Sequence, residues 1–138
     1  MNWIGHKIGG MVMSGVVGVG TLATTSSIKM AGINAVTAYI FALYPDMDIS
    51  SISRKFLTFF GLIALVPLIL TGHLLFAGIL LGMLIFPRFM PHRGFNHSLA
   101  MMLIVAFLWG FMLPGAAVAV MAGFATHLVL DGFYIRLV

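Results

Sequence analysis

A chain of 138 residues that is 62% hydrophobic and 7% charged, with a mean hydropathy of +1.15, cannot be a soluble globular domain, which carries about 25% charged residues. Its length suits one membrane-embedded domain over residues 1–138. The formal charge of +4 comes from seven dispersed cations without interleaved aromatics, which excludes a nucleic-acid footprint and leaves membrane topology to explain them.

Charge-free stretches define the elements, since a spanning helix needs about 20 apolar residues against a hydrocarbon core of about 30 Å. The first predicted helix covers residues 5–24 and carries Gly10, Ser14 and Gly18 at every fourth position. Such a stripe of small residues lets helix backbones approach closely. Lys7 ahead of this apolar run is also how a signal peptide begins, but Ala23-Thr24-Thr25 is not a clean cleavage site and cutting there would discard His6. The second helix covers 28–44 and ends at Pro45-Asp46-Met47-Asp48. Residues 56–87 are too many for one crossing. Thr71-Gly72-His73, just after Pro67, divides the region into a third helix over 53–70 and a fourth over 74–87. Gly110 and Pro114-Gly115 likewise divide the last stretch into a fifth helix over 97–109 and a sixth over 115–136. The expected fold class is therefore all-α, an integral membrane bundle of about six short transmembrane helices.

Six crossings put the N-terminus, the second–third and fourth–fifth connections and the C-terminus on one face. That face collects Lys7, Arg54, Lys55, Arg88, Arg93 and Arg136, and the other only Lys29. The asymmetry places both termini in the cytoplasm, with the lipid bilayer as the surroundings of the protein. Trp3, Tyr44 and Tyr134 suit the cytoplasmic interface and Trp109 the opposite one.

Against this apolar background the polar residues gather in four motifs: His6, Pro45-Asp46-Met47-Asp48, His92-Arg93-Gly94-Phe95-Asn96-His97-Ser98, and His127-x-x-x-Asp131. They contain all three acidic residues and four of the five histidines, and the topology puts them all on the cytoplasmic side. Ionisable groups within a membrane are costly and mark function. His127 and Asp131, four apart, share a helix face. Alone, such a pair is more often two mutually satisfied side chains than a ligand pair. With His6, Asp46 and His97 at the same depth, the carboxylates require pairing or a metal. Cysteine is absent, so no thiolate is available. Imidazole with carboxylate favours Zn²⁺, with Mn²⁺ or Fe²⁺ as other fits, and the donor number suits one or two ions. Arg93, just before the fifth helix, is either a phosphate-binding guanidinium or an ordinary positive-inside arginine. Asp48 reads as a brace for the turn into the third helix, Ser98 as a helix-start hydroxyl and His73 as a packing residue on the opposite face.

The order of these motifs resembles the LexA-binding, inner-membrane-associated metal-dependent hydrolases. The resemblance covers essentially the whole chain, with His92-Arg93-Gly94-Phe95-Asn96-His97-Ser98 its most specific part. That family is distantly similar to the zinc-dependent phospholipase C and single-strand nuclease superfamily, in which an early His, an Asp at a helix end and His-x-x-x-Asp pairs build a multi-zinc phosphodiesterase site. Trp3-Ile4-Gly5-His6 is similar to the start of those enzymes. The resemblance implies metal positions at His6, Asp46, His97, His127 and Asp131, with His92 and Arg93 in the matching loop. His92 thereby joins the candidate ligands, and Arg93 and Asp46 are the candidate catalytic residues. The chain departs from the family at Asn96, where Thr is usual, and at Ile49, where a His is frequent, which reduces the ligand complement. The similar secreted enzymes use a free N-terminal amine as a ligand; here Met1-Asn2 precedes Trp3, and that contact is not expected.

The expected function is a membrane-embedded metal-dependent hydrolase acting on a phosphoester of a lipid or lipid-linked substrate, a phosphoesterase without nucleic-acid partners. The alternative is a non-enzymatic membrane protein whose metal centre is structural and whose role is interaction or regulation, since the similar family is named for LexA binding. A metal transporter would need a second polar cluster on the far side, and the sequence offers none.

Overall fold

Small polar residues at the helix starts divide the chain into three helical hairpins. The computed structural model describes residues 3–48, 50–91 and 94–132, with the side chains of Trp3 and Asp48 outside that description. The candidate residues His92 and Arg93, and the interface residues Tyr134 and Arg136, lie outside the described residues. The described chain forms α1 (Trp3–Thr25), α2 (Ile28–Leu43), α3 (Ile52–Leu70), α4 (Leu74–Ile85), α5 (Leu99–Met112) and α6 (Ala117–Leu130), with short 3-10 turns at Tyr44–Asp48, Phe86–Phe89 and Phe95–His97. Ser27, Ser51 and Ser98 each cap the helix that follows, accepting from the N–H of Met30, Arg54 and Met101 at 3.3, 3.0 and 3.1 Å. Gly72 and Gly115 take the positive φ values of 75° and 90° that the hairpin tips require.

Prolines set the two boundaries that the sequence reading placed too late. Pro45 has no N–H to continue α2, so the expected 28–44 helix stops at Leu43 and tightens into the turn Tyr44–Asp48. Pro87 does the same to α4, which ends at Ile85. The Met83 carbonyl, four residues before Pro87, instead accepts the Tyr44 hydroxyl at 2.9 Å. Boundaries of the last two helices differ as well. The fifth helix begins at Leu99 rather than His97 because Ser98 is its cap, and it runs past Gly110 to Met112. The sixth ends at Leu130 with Asp131 as its C-cap.

By length and composition, α1 over Ile4–Thr25 and α3 over Ile52–Leu70 are long and apolar enough to cross a bilayer. The apolar helices α5 and α6 have 14 residues each, a rise of about 21 Å against a core of about 30 Å. Among the described residues six helices are therefore found where six crossings were expected, and two of them reach full span.

The first and third hairpins pack most tightly. The stripe Gly10, Ser14 and Gly18 faces α2: a Cβ on Gly10 would stand 2.9 Å from that of Ala42, and one on Gly18 3.2 Å from that of Ala35. Between them the Ser14 hydroxyl donates to the Ala35 carbonyl at 2.8 Å. On the other side of α2, Gly123 of α6 sits so close that a Cβ there would overlap the Ala38 carbonyl. Ala38, Phe41, Val105, Val120 and Phe124 fill the core around this contact. The α3–α4 hairpin attaches chiefly through the turn Tyr44–Asp48. An apolar cleft of about 340 Å³, lined by residues including Tyr39, Phe41, Leu57, Leu84 and Trp109, separates it from α2 and α5. Val12, Val16, Phe59, Val66, Phe107 and Val118 are exposed around the outside, an apolar exterior suited to lipid.

Candidate metal centre

Because consecutive helices double back, the tips at 26–27, 71–73 and 113–116 form one end of the molecule. Asn34 joins two of these hairpins, donating to Thr21 Oγ1 at 3.2 Å and to the Gly115 carbonyl at 3.5 Å. The start of α1, the two inter-hairpin connections and the end of α6 form the other end, where the polar motifs meet. His6 lies in the first turn of α1, Asp46 in the turn after α2, His97 in the 3-10 turn before α5, His127 in the last turn of α6 and Asp131 at its cap.

His127 is the centre of the group and is fully buried at 0% exposure. Its Nδ1 lies 2.8 Å from the carbonyl of Ala42. Ala42 is the penultimate residue of α2, where carbonyls run out of helical partners. A carbonyl only accepts, so Nδ1 carries the proton and Nε2 presents its lone pair inward when the ring is neutral. His127 Nε2 is buried and has no hydrogen-bond partner among the described residues. It stands 3.6 Å from Asp46 Oδ1 and 3.4 Å from Asp131 Oδ2. The other oxygen of Asp131 meets His6 Nε2 at 3.0 Å. His97 Nε2 completes the ring, 3.6 Å from Asp131 Oδ2 and 4.0 Å from Asp46 Oδ1. The His6 and His127 rings stack at 4.0 Å, and the His97 ring meets His127 edge-on at 5.3 Å.

The five residues form two overlapping donor triads, His6/His127/Asp131 and Asp46/His97/His127, each with its donor atoms within 4.8 Å of one another. Donors bound at about 2.0–2.2 Å from one ion stand about 3–4 Å apart, which is the spacing seen here. Two carboxylates and three imidazoles face one another across the centre, a donor chemistry that suits a divalent cation. Burial by itself raises the Asp131 pKa. The neighbouring imidazoles of His127 and His6 outweigh that and hold it below the ordinary carboxylate range. The donor set, its spacing and the inward Nε2 of His127 all fit a divalent cation.

The sequence reading therefore named five residues that the fold brings together, His6, Asp46, His97, His127 and Asp131. Of the others, Ser98 caps α5, as expected of a helix-start hydroxyl. His73 sits at the far tip, its ring stacked at 6.0 Å on Phe76, as expected of a packing residue. Ser51 braces the turn into α3, its hydroxyl donating to the Asp46 carbonyl at 3.0 Å and capping Arg54, while the Asp48 side chain lies outside the described residues. Asn96, beside His97, is fully buried, and its side chain has no hydrogen-bond partner among the described residues. Its only signal in the sequence is its place within the histidine motif. The Ala42 anchor gives no signal at all, because it is a backbone group.

No curated protein and no solved structure matches the chain. The family description that does match concerns location in the inner membrane, in keeping with the apolar exterior and the two full-length spans. The family model of the YdjM inner membrane protein covers residues 1–136, and the chain belongs to that family.

Proposed function

We propose that the protein is a multi-pass inner-membrane metalloenzyme that hydrolyses a phosphoester of a lipid or lipid-linked substrate. In this reading the His/Asp centre opens toward the cytoplasm, and both termini lie on that side. The observation that carries it is the convergence of five histidine and aspartate donors, four of them buried, around His127, whose Nδ1 is held by Ala42 while Nε2 is left for a ligand. A histidine whose second nitrogen is bound to a carbonyl is the usual arrangement of a metal-ligating imidazole.

A divalent ion at these donors supplies Lewis-acid charge for a phosphoryl oxygen and acidifies water. Zinc is favoured by the donor types, with manganese or iron(II) as alternatives. With Nδ1 committed to Ala42, His127 has one nitrogen to offer, so it serves one ion at a time. Asp131 orients His6 through one oxygen and faces His97 and His127 with the other. Asp46 comes from a different hairpin connection, and the Ser51 hydroxyl on its carbonyl steadies that turn. The resemblance of the loop makes His92 a further candidate ligand and Arg93 the group that grips phosphate. Orientation is supported by Lys7, Arg54, Lys55 and Arg88 lying at the same end as the centre, with Lys29 at the far tips.

A second reading is favoured by the burial of His6, His97 and His127. Structural metal sites are closed, and a closed centre would tie the hairpins together in a non-enzymatic membrane protein with an interaction or regulatory role. Elemental analysis of detergent-purified protein, followed by assays on short-chain phospholipids and lipid phosphates with and without chelator, separates the two. The hydrolase reading expects bound metal, chelator-sensitive phosphoester release, loss of release in Asp46→Ala, and an Arg93→Ala variant that keeps metal but not turnover. Arg93→Lys restores part of it, because a point charge does not reproduce a bidentate contact. Full metal occupancy without turnover of any of these substrates supports the structural reading. Labelling of cysteines introduced at Gly72 and Gly115 checks topology, since both should report the non-cytoplasmic side.

A further inference from the structure

A second polar feature lies outside the histidine cluster. Arg54 and Lys55 open α3, Thr58 follows one turn later, and Arg88 reaches them from the turn Phe86–Phe89. Together with Phe59 and Leu62 they line an open pocket of about 570 Å³. Arg88 Nη2 donates to Thr58 Oγ1 at 2.9 Å, which holds one guanidinium over the helix that carries the other two cations. Among the described residues no carboxylate forms an ion pair with Arg54, Lys55 or Arg88. Two separate elements thus bring three like charges to one pocket, and no carboxylate among the described residues pairs with them. Dispersed positive-inside cations do not require that convergence.

The polarity of the pocket is graded along α3. Its basic residues stand at the helix start, while Leu62 lies about 12 Å further along the axis. Phe59 and Leu62 are 60% and 50% exposed, an apolar floor directly below the charges. Phosphate-binding cations over an exposed apolar strip match an amphiphile with an anionic head and an acyl tail, whereas a soluble anion has no use for the strip.

We propose that this pocket docks one anionic phospholipid, its phosphate among Arg54, Lys55 and Arg88 and its acyl chain along Phe59 and Leu62. The site is separate from the metal centre and does not depend on the hydrolase reading. Ser51, which caps Arg54 and donates to the Asp46 carbonyl, joins the two regions mechanically.

Native mass spectrometry of the full chain, released from detergent with dimyristoyl phosphatidylglycerol or the matching phosphatidylcholine, tests this. The expected result is retention of one phosphatidylglycerol with at least about tenfold preference, and about a fivefold loss of that preference for each cation removed. The triple variant Arg54→Gln/Lys55→Gln/Arg88→Gln loses the preference, while Lys29→Gln, at the opposite end, keeps it. Circular dichroism checks that the triple variant is helical; should it not fold, Arg88→Gln alone must still weaken retention about fivefold. Equal retention of both lipids by the unaltered chain, or full preference in a folded Arg88→Gln, overturns the proposal. So does complete displacement of the lipid by glycerol phosphate at equal concentration, which would mean a site for a soluble anion. Retention that survives chelator treatment supports a site distinct from the metal centre, and its loss would assign the lipid to that centre and overturn the proposal.

Discussion

The seam where α2 meets α1 and α6 and the attachment of the α3–α4 hairpin are built in opposite ways. The seam is made of backbone against small side chains, at Gly10, Ser14 and Gly18 on one face of α2 and Gly123 on the other. The hairpin rests on large side chains and leaves an apolar cleft of about 340 Å³. The histidine and aspartate donors need fixed positions to within a fraction of an ångström, and three of the five, His6, His127 and Asp131, come from the helices of the seam. Apolar surface facing the cleft loses little in a membrane, where lipid tails are as apolar as leucine. Rigidity is concentrated where the polar groups are.

The largest test of that contrast is Gly123→Leu, which drives a side chain into the Ala38 backbone; it should cost more than about 3 kcal/mol and abolish folding or metal retention together. The matched control is Gly78→Ala on α4, where an added Cβ meets nothing within 4 Å; it should be neutral or stabilise by up to about 1 kcal/mol in reversible detergent unfolding. Next in size, His127→Ala removes a buried ring and strands the Ala42 carbonyl, for about 2–4 kcal/mol, with metal content falling by elemental analysis. Asp131→Ala should lower metal content as well, and His73→Ala should leave it unchanged. Equal loss from His73→Ala would break the division between the two ends. Tyr44→Phe deletes the bond to Met83 that joins the hairpin to α2 and should cost about 1 kcal/mol without changing metal content. The smallest effect is Ser14→Ala, about 0.6 kcal/mol, the average for an interhelical hydrogen bond in a membrane.

Much of the centre was legible because the chain spends so few polar residues elsewhere. His6, Asp46, His97, His127 and Asp131 could be brought to one end by counting helices and assigning each a direction. That arithmetic survives errors of a few residues at each boundary. What escaped it was local. Pro45 and Pro87 convert helix ends into 3-10 turns, and Ser51 and Ser98 decide where α3 and α5 begin. Asp131 is a cap rather than a helix-face residue, although it still meets His127. The Ala42 carbonyl, which sets the tautomer of His127, has no side-chain signature. Helix length was the other gap: hydropathy marks an apolar run, but the turn residues decide how much of it becomes straight helix, and among the described residues α1 and α3 alone reach a full span.

The Ser51 hydroxyl gives α3 the character of a lever with its pivot at the end that holds the polar centre. The helix has 19 residues, an arm of about 28 Å, and its near end is fastened to the Asp46 turn while its far half packs on α4 and ends at the tip Thr71 and Gly72. A change of bilayer thickness that tilts the helix by about 5° swings that tip through about 2–3 Å. At the pivot the same rotation produces almost no displacement. Membrane thickness can therefore work on the hairpin while the spacing of the aspartate to its histidines stays constant.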